Sequence, residues 1–212
     1  MQSKQALVDP PGSYQELCDR LGFAAGIPYV DDWSAAADFL QLITDAVLVH
    51  QPAAIVECGS GLSTLMLARV CQIARCGHVY SLENSEPHAM ASRESLDHYA
   101  LADYATVIYA PLTSYRVHGG DYQWYETDKL PDHEVGMLVI DGPPGRLQKH
   151  SRYPALPLLY DRLSSGGTVY MDDASRPDER EIVSLWQNKF PGVSNEYIDT
   201  QRGCARLRVD KS

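Results

Sequence analysis

The stretch Ala53-Ala-Ile-Val-Glu-Cys-Gly-Ser-Gly-Leu-Ser-Thr-Leu-Met-Leu-Ala-Arg69 decides the fold. Ala53 to Val56 are small or β-branched and apolar, as a central strand covered on both faces requires. Gly59 and Gly61 bracket Ser60, supplying loose dihedrals and no side chain where a ligand can press against backbone. Leu62, Leu65, Met66 and Arg69 follow at helical spacing, with Ser63 and Thr64 in the first turn. A strand, turn and helix of this kind aim free backbone N–H groups and a positive helix end at whatever lies above them. Two turn glycines alone suit an ordinary corner equally well. Glu57 tips the balance, because an acid at the end of a buried strand costs free energy unless it has a task.

The flanking segments repeat the alternation. Tyr14 to Leu21 forms a short helix ended by Gly22. Ser34 is a suitable N-cap for a helix from Ala35 to His50, where Phe39, Leu40, Ile43, Ala46, Val47 and Val49 make an apolar stripe that Pro52 stops. Val79 to Glu83 is a second strand, Glu86 to Leu101 a helix and Ala105 to Ala110 a third strand. Pro111 to Asp132 reads as one long loop containing Gly119, Gly120, Trp124 and Tyr125, and such loops usually serve function. Val135 to Asp141 is the fourth strand, followed by Gly142-Pro-Pro-Gly145 and a basic segment from Arg146 to Arg152. Tyr153 to Leu163 reads as a helix, Gly166-Gly167 as a turn, Thr168 to Asp173 as the fifth strand and Pro177 to Lys189 as a helix. Val193 to Ile198 and Cys204 to Val209 have hairpin spacing. With no repeat or linker, the expected organisation is an N-terminal extension over 1–33 and a single domain over 34–212.

Alternating strands and helices imply an α/β protein with a mostly parallel sheet covered on both faces, its last hairpin supplying an antiparallel strand. Ligands of such sheets bind outside the carboxyl ends of the strands, near the switch in strand order. Glu57, Glu83, Asp141 and Asp172 all end strands, so one edge of the sheet gathers four carboxylates. The site is expected there.

Composition narrows the partners. The chain has 212 residues, 44% of them apolar, enough for one substantial core. A formal charge of −10 argues against nucleic acid, whose phosphates call for excess Lys and Arg. No apolar run reaches membrane-spanning length, and the start lacks the layout of a signal peptide. The five cysteines are odd in number and show no C-x-x-C spacing. They suggest neither disulfides nor a metal framework, and a cytoplasmic location is expected.

Glu83 lies 22 residues after Gly61, the separation at which a strand-end acid meets ribose hydroxyls in nucleotide-binding units. Two ligands satisfy that geometry, a dinucleotide and S-adenosylmethionine. The dinucleotide fingerprint places a third glycine where this chain has Thr64, and Glu57 is awkward beside a diphosphate. Glu57 suits a cationic, amino-acid-bearing ligand, directly or through the loop it braces. Charge favours S-adenosylmethionine.

Val56-Glu-Cys-Gly-Ser-Gly61, the strands ending in Glu83 and Asp141, and the late pair Asp172-Asp173 resemble the class I S-adenosylmethionine-dependent methyltransferases. Asp141 together with Gly167-Thr-Val-Tyr-Met-Asp-Asp173 is similar to their metal-dependent, catechol-type O-methyltransferase branch. The resemblance spans Ala35 to Val209 and implies a Rossmann-like methyltransferase fold with seven strands in the order 3-2-1-4-5-7-6, the seventh antiparallel. It implies that Gly59, Ser60 and Gly61 floor the methionine part of the cofactor, with Glu57, Thr64 and Asp141 beside it. Glu83 and Asn84 would meet the ribose, and Ala110 to Leu112 would lie along the adenine. In that branch the acids matching Asp141, Asp172 and Asp173 hold Mg²⁺ or a similar divalent cation that binds the acceptor hydroxyl and lowers its pKa.

Three departures accompany the resemblance. The branch has Asp-Asn where this chain has Asp172-Asp173, Gly142-Pro-Pro-Gly145 is foreign to its loop, and its general-base lysine is missing at the usual spacing. Lys149 and His150 are the nearest substitutes, and with Asp141 they form the expected catalytic set. The competing reading is that Asp172 caps its strand, Asp173 caps or pairs with Arg176 or Arg180, and no metal binds. Arg146, Lys149, His150 and Arg152 either attract an anionic acceptor or form a solvated basic loop. Trp124 and Tyr125 either wall the acceptor pocket or pin the loop. Trp33 closes over the cofactor or packs at a helix start, and Trp186 belongs to the core. The expected activity is methylation of a hydroxyl on a small molecule, with a homodimer as an optional assembly. The rivals are an NAD-dependent oxidoreductase and a catalytically silent cofactor-binding member of the fold.

Overall fold

The computed structural model describes residues 7–211. Its nine strands are β1 (Ala54–Cys58), β2 (His78–Glu83), β3 (Ala105–Tyr109), β4 (Leu112–Val117), β5 (Gly120–Tyr125), β6 (Val135–Ile140), β7 (Leu163–Met171), β8 (Val193–Ile198) and β9 (Cys204–Val209). The helices are α1 (Gln15–Leu21), α2 (Ala37–His50), α3 (Leu62–Ala74), α4 (Glu86–His98), α5 (Ala155–Leu159) and α6 (Pro177–Lys189). Seven strands form one sheet in the order β3-β2-β1-β6-β7-β9-β8. Leaving out β4 and β5, which pair only with each other, these strands stand 3-2-1-4-5-7-6 along the chain, as expected. Pairing is parallel as far as β7, and β9 runs antiparallel between β7 and β8.

Residue alternation divides the core between the two faces. Ile55, Val79, Met137 and Val139 pack with α1, α2, α3 and α4. Val56, Leu82, Leu138 and Ile140 face the other way, towards α5, α6 and the β4-β5 hairpin. Tyr14, Leu17, Leu21, Phe23 and Ile27 join the first cluster, so the segment before Ser34 supplies part of the core. Among the described residues, no helix is long and apolar enough to cross a membrane.

Four local readings need correction. The stretch 111–132 is largely a hairpin, in which Tyr115 and Tyr122 pair across β4 and β5 while Trp124 and Tyr125, the last residues of β5, are buried. Its exposed polar residues hid the two-residue alternation. The helix after Tyr153 shrinks to α5 and one turn of 3-10 helix over Tyr160–Arg162. Gly166 and Gly167 lie within β7, where the pairing with β6 shifts register between Val135 and Met137. Ser34 does not cap α2, whose N-cap is Ala36; the Ser34 hydroxyl instead accepts from the Val30 N–H at 2.9 Å.

The switch in strand order falls between β1 and β6, and pairing of Cys58 with Ile140 sets their ends level. The Asp141 N–H donates to the Cys58 carbonyl at 3.1 Å, which brings the glycine loop and the acid at the end of β6 side by side.

Candidate functional site

The glycine loop is braced from below. Gly59 donates its N–H to the Leu82 carbonyl at 2.9 Å, and the Gly61 N–H donates to Thr64 Oγ1 at 3.0 Å. The Thr64 hydroxyl in turn donates to Glu57 Oε2 at 2.5 Å. Gly61 has φ +154°, a conformation that needs glycine, and a side chain there would project into open space. The turn is therefore a bare backbone surface, open to a ligand. Glu57 is fully buried and its Oε1 has no partner.

Burial pushes the Glu57 carboxyl up from 4.5 to about 7, against the pull of neighbouring hydroxyls. A folded-state pKa above the unfolded one means that the folded protein holds the proton longer. The associated stability is present below about pH 4.5 and is lost as pH rises through about 7. Glu57→Gln is therefore expected to match the wild type near pH 4.5 and to exceed it by a few kcal/mol above pH 7.5. Denaturant unfolding at both pH values checks this; a constant difference would contradict it.

Glu83 is 6% exposed and locked by three donors. Oε2 accepts from the Ser60 N–H at 3.1 Å and the Ser60 hydroxyl at 3.0 Å, while Oε1 accepts from the Ser85 N–H at 2.8 Å. A carboxylate has about four acceptor positions, so one remains for a ligand. The Ser60 hydroxyl can release a second, since Ser92 Oγ lies 2.9 Å away as an alternative partner. Ala110 is buried beside this acid, its N–H donating to the Glu83 carbonyl at 2.8 Å. Asn84 follows Glu83 in the same turn, and Leu112 opens β4.

Asp141, Asp172 and Asp173 are brought together, with one oxygen of each lying within 4.8 Å of the others. Asp173 has φ +60°, a left-handed backbone that Asn and Asp tolerate best, and this accounts for the residue type at that turn. Burial, foremost, raises Asp141 to about 6 and Asp172 to about 7. Both oxygens of Asp172 are buried without a partner.

Arg152 enters this cluster. Read from the sequence as part of a basic surface segment, it is 2% exposed. Its Nη1 donates to the Asp172 carbonyl at 2.8 Å. Its Nη2 donates to the Asp141 carbonyl at 2.8 Å, to Asp141 Oδ1 at 3.2 Å and to Asp173 Oδ2 at 2.8 Å. Arg176 adds a second guanidinium 2.8 Å from Asp173 Oδ2, the pairing expected if no metal binds. The donor set therefore suits a divalent cation poorly: two of the three acids already hold a guanidinium. The correction has a simple cause. Burying carboxylates at the ends of neighbouring strands demands a cation among them, and Arg152 is the basic residue that reaches inward.

Asp141 and Asp173 lie on a cleft of about 830 Å³. Its other walls include Trp33, Arg146, Lys149, Arg176 and Arg202. Trp33 is 53% exposed and stacks on Arg146, with the guanidinium carbon 4.9 Å from the ring centroid. Arg202 comes from the β8-β9 turn, which is fixed by Ser175 donating its N–H to the Arg202 carbonyl at 3.0 Å. Lys149 lines the cleft but pairs with Glu181 at 3.1 Å, and His150 faces Glu181 and Asp178 at 3.0 and 3.7 Å. Both are thus engaged with α6. Tyr125, one of the two aromatics expected either to wall the acceptor pocket or to pin the loop, lies against the turn after β6: its hydroxyl sits so close to Gly142 that a Cβ there would lie 2.2 Å away, and only glycine fits. Trp186 is core, donating its Nε1–H to the Tyr153 carbonyl at 2.9 Å.

A family model described as a methyltransferase domain matches residues 56–174, more than half of the chain. Among solved structures, the chain is similar to an SAH-bound methyltransferase from Podospora anserina at 15% identity and TM-score 0.67, covering 98% of this chain and 92% of that one. It is similar to an SAH-complexed O-methyltransferase from Bacillus cereus at 16% identity and TM-score 0.64, covering 97% and 94%. It also resembles TomG, an O-methyltransferase of tomaymycin synthesis from Streptomyces achromogenes solved with SAM, at 14% identity and TM-score 0.65, covering 96% and 92%. Identities this low speak for the fold. No curated protein matches the sequence.

Proposed function

The chain belongs to the methyltransferase-domain family, and from that premise we propose that it is an S-adenosylmethionine-dependent methyltransferase whose acceptor is a hydroxyl on a small molecule. The observation that carries the reading is the adjacency of the open glycine turn and Asp141, whose N–H is bonded to the Cys58 carbonyl one residue before Gly59. When bound, S-adenosylmethionine supplies an electrophilic methyl group on a cationic sulfur. Gly59, Ser60 and Gly61 would floor its methionine part, with Glu57 acting through Thr64 to hold the turn. Glu83 and Asn84 would meet the ribose, and Ala110 and Leu112 the adenine.

Asp141 is the base of this proposal. At about 6, its pKa leaves it ionised at neutral pH yet close enough to accept a proton. Asp141 would take the proton of the acceptor hydroxyl as that oxygen gains the methyl group: the O–H bond of the acceptor is replaced by one on the carboxylate, and the methyl group's bond to sulfur breaks as the O–C bond forms, leaving a neutral thioether. Arg146 and Arg202 line the cleft with no carboxylate in ion-pair range among the described residues, and the Trp33 ring stands beside them. These groups favour a planar acceptor carrying an anionic substituent. No step passes through a metal, because Arg152 holds the acids that a divalent cation would need. We place the protein in a reducing cytoplasm, since all five cysteines are free and four of them are buried.

The test is methyl-donor turnover over a panel of hydroxylated aromatic acids and their uncharged analogues. Asp141→Asn is expected to lower kcat about 100-fold, and wild-type kcat to rise with pH through about 6. Full activity in the variant would remove Asp141 as the base. An absence of turnover across the panel would remove the acceptor class.

A further inference from the structure

The corner where β6 and β7 end holds a cation supplied by the chain itself. Arg152 is buried, and a single nitrogen, Nη2, touches Asp141 Oδ1 at 3.2 Å and Asp173 Oδ2 at 2.8 Å. The same guanidinium caps the carbonyls of Asp141 and Asp172, which follow the last residues of the two strands. Mg²⁺ on these acids would need their oxygens at about 2.0–2.1 Å in near-octahedral array. Nη2 stands on two of them, and a second cation in the same place would meet its charge at short range.

We propose that Arg152 is a positioning residue that stands in for the divalent cation of the catechol-type pattern. It clamps Oδ1 of Asp141 while Asp141 lines the cleft, which leaves Oδ2 for the acceptor hydroxyl. A planar guanidinium fits this task because it reaches two carboxylates and two carbonyls at once, whereas Mg²⁺ would have to shed water to do so. Transfer then proceeds without added metal. The unpartnered Asp172 oxygens are what a metal would claim first if the cluster were a metal site, and they make the distinction measurable.

This inference rests on the methyltransfer reading only for its activity arm. The first experiment needs no turnover: Mn²⁺ is titrated into the full-length wild type and into Asp172→Asn, with free Mn²⁺ followed by electron paramagnetic resonance. The two proteins are expected to give the same curve, and Mn²⁺ uptake by the wild type that Asp172→Asn abolishes overturns the proposal. In Arg152→Ala the corner is opened, and one Mn²⁺ is expected to bind and to be lost again in Arg152→Ala/Asp172→Asn. Should Arg152→Ala not fold, the wild-type and Asp172→Asn pair decides alone. In the activity arm, EDTA is expected to leave turnover within two-fold of the untreated enzyme, and a ten-fold loss restored by Mg²⁺ overturns the proposal. A protein that gives identical Mn²⁺ curves yet methylates nothing in the panel would fail the function while leaving the cation assignment standing.

Discussion

Glu83→Ala is expected to weaken S-adenosylmethionine binding about ten- to a hundred-fold, measured by calorimetry. A hydrogen bond to a charged group contributes about 1.5–3 kcal/mol, and each 1.4 kcal/mol is a factor of ten in affinity. The variant also loses the lock on the loop, since the Ser60 N–H, the Ser60 hydroxyl and the Ser85 N–H all converge on this carboxylate. Ser60 can fall back on Ser92 Oγ, so the turn is expected to hold its shape and the loss to concentrate in the ligand contact. Glu83→Gln keeps one acceptor oxygen and should fall between the two. Equal affinity in wild type and Glu83→Ala would remove the assigned ribose contact. Nicotinamide dinucleotide is expected to give no heat with either protein, because Thr64 stands where a diphosphate cradle needs glycine and Glu57 lies beneath the same loop.

The half of the site built from β1, β2 and the turn between β1 and α3 was legible in the sequence, and the reason is spacing. Glu57, Gly59, Gly61, Thr64 and Glu83 fall within one strand-helix-strand unit, where local geometry sets who meets whom. Thr64 reaches Glu57 one helical turn above the strand end, and Glu83 meets Ser60 because β1 and β2 are in register. The strand order followed from the same rule, since parallel strands joined by helices leave few topologies. The opposite half depends on tertiary placement. Nothing in the spacing of Arg146, Lys149, His150 and Arg152 says which of four basic residues turns inward. Only Arg152 lies close enough to the ends of β6 and β7 to answer their carboxylates. Trp33 and Arg202 come to the cleft from opposite ends of the chain, a meeting that no local pattern encodes. The hairpin β4-β5 was hidden for a different reason: its strands expose residues such as Thr113, Ser114 and Gln123, and it pairs with no other strand.

Arg152→Met is expected to be the most damaging single substitution at this corner for stability. It keeps much of the side-chain volume and removes the charge from among Asp141, Asp172, Asp173 and Glu179, the acids that raise the Arg152 pKa. Breaking a buried pair from one side costs about 3–5 kcal/mol, because the charge left behind, here Asp141, stays without its partner. For a chain of this length the melting temperature should fall by roughly 6–20 °C. The loss should depend on pH in a defined direction. Asp141 and Asp172, at about 6 and about 7 in the folded protein against 3.8 ordinarily, already lose stability as pH rises through those values. Without the guanidinium their folded values move higher still, so the variant should weaken further as pH rises from 5 to 8. At pH 5 the acids take up protons, the wild-type pairing itself fades, and the gap between the two proteins should narrow. Arg152→Met/Asp141→Asn should recover part of the loss, since Asp141, unlike Asp173 with its second guanidinium from Arg176, has no other ion-pair partner among the described residues and is the charge left stranded. Thermal unfolding of the three proteins at pH 5 and pH 8 checks all of this. A deficit that is equal at both pH values, or unchanged by Asp141→Asn, would mean that Arg152 acts through packing alone and that its charge does not hold the corner.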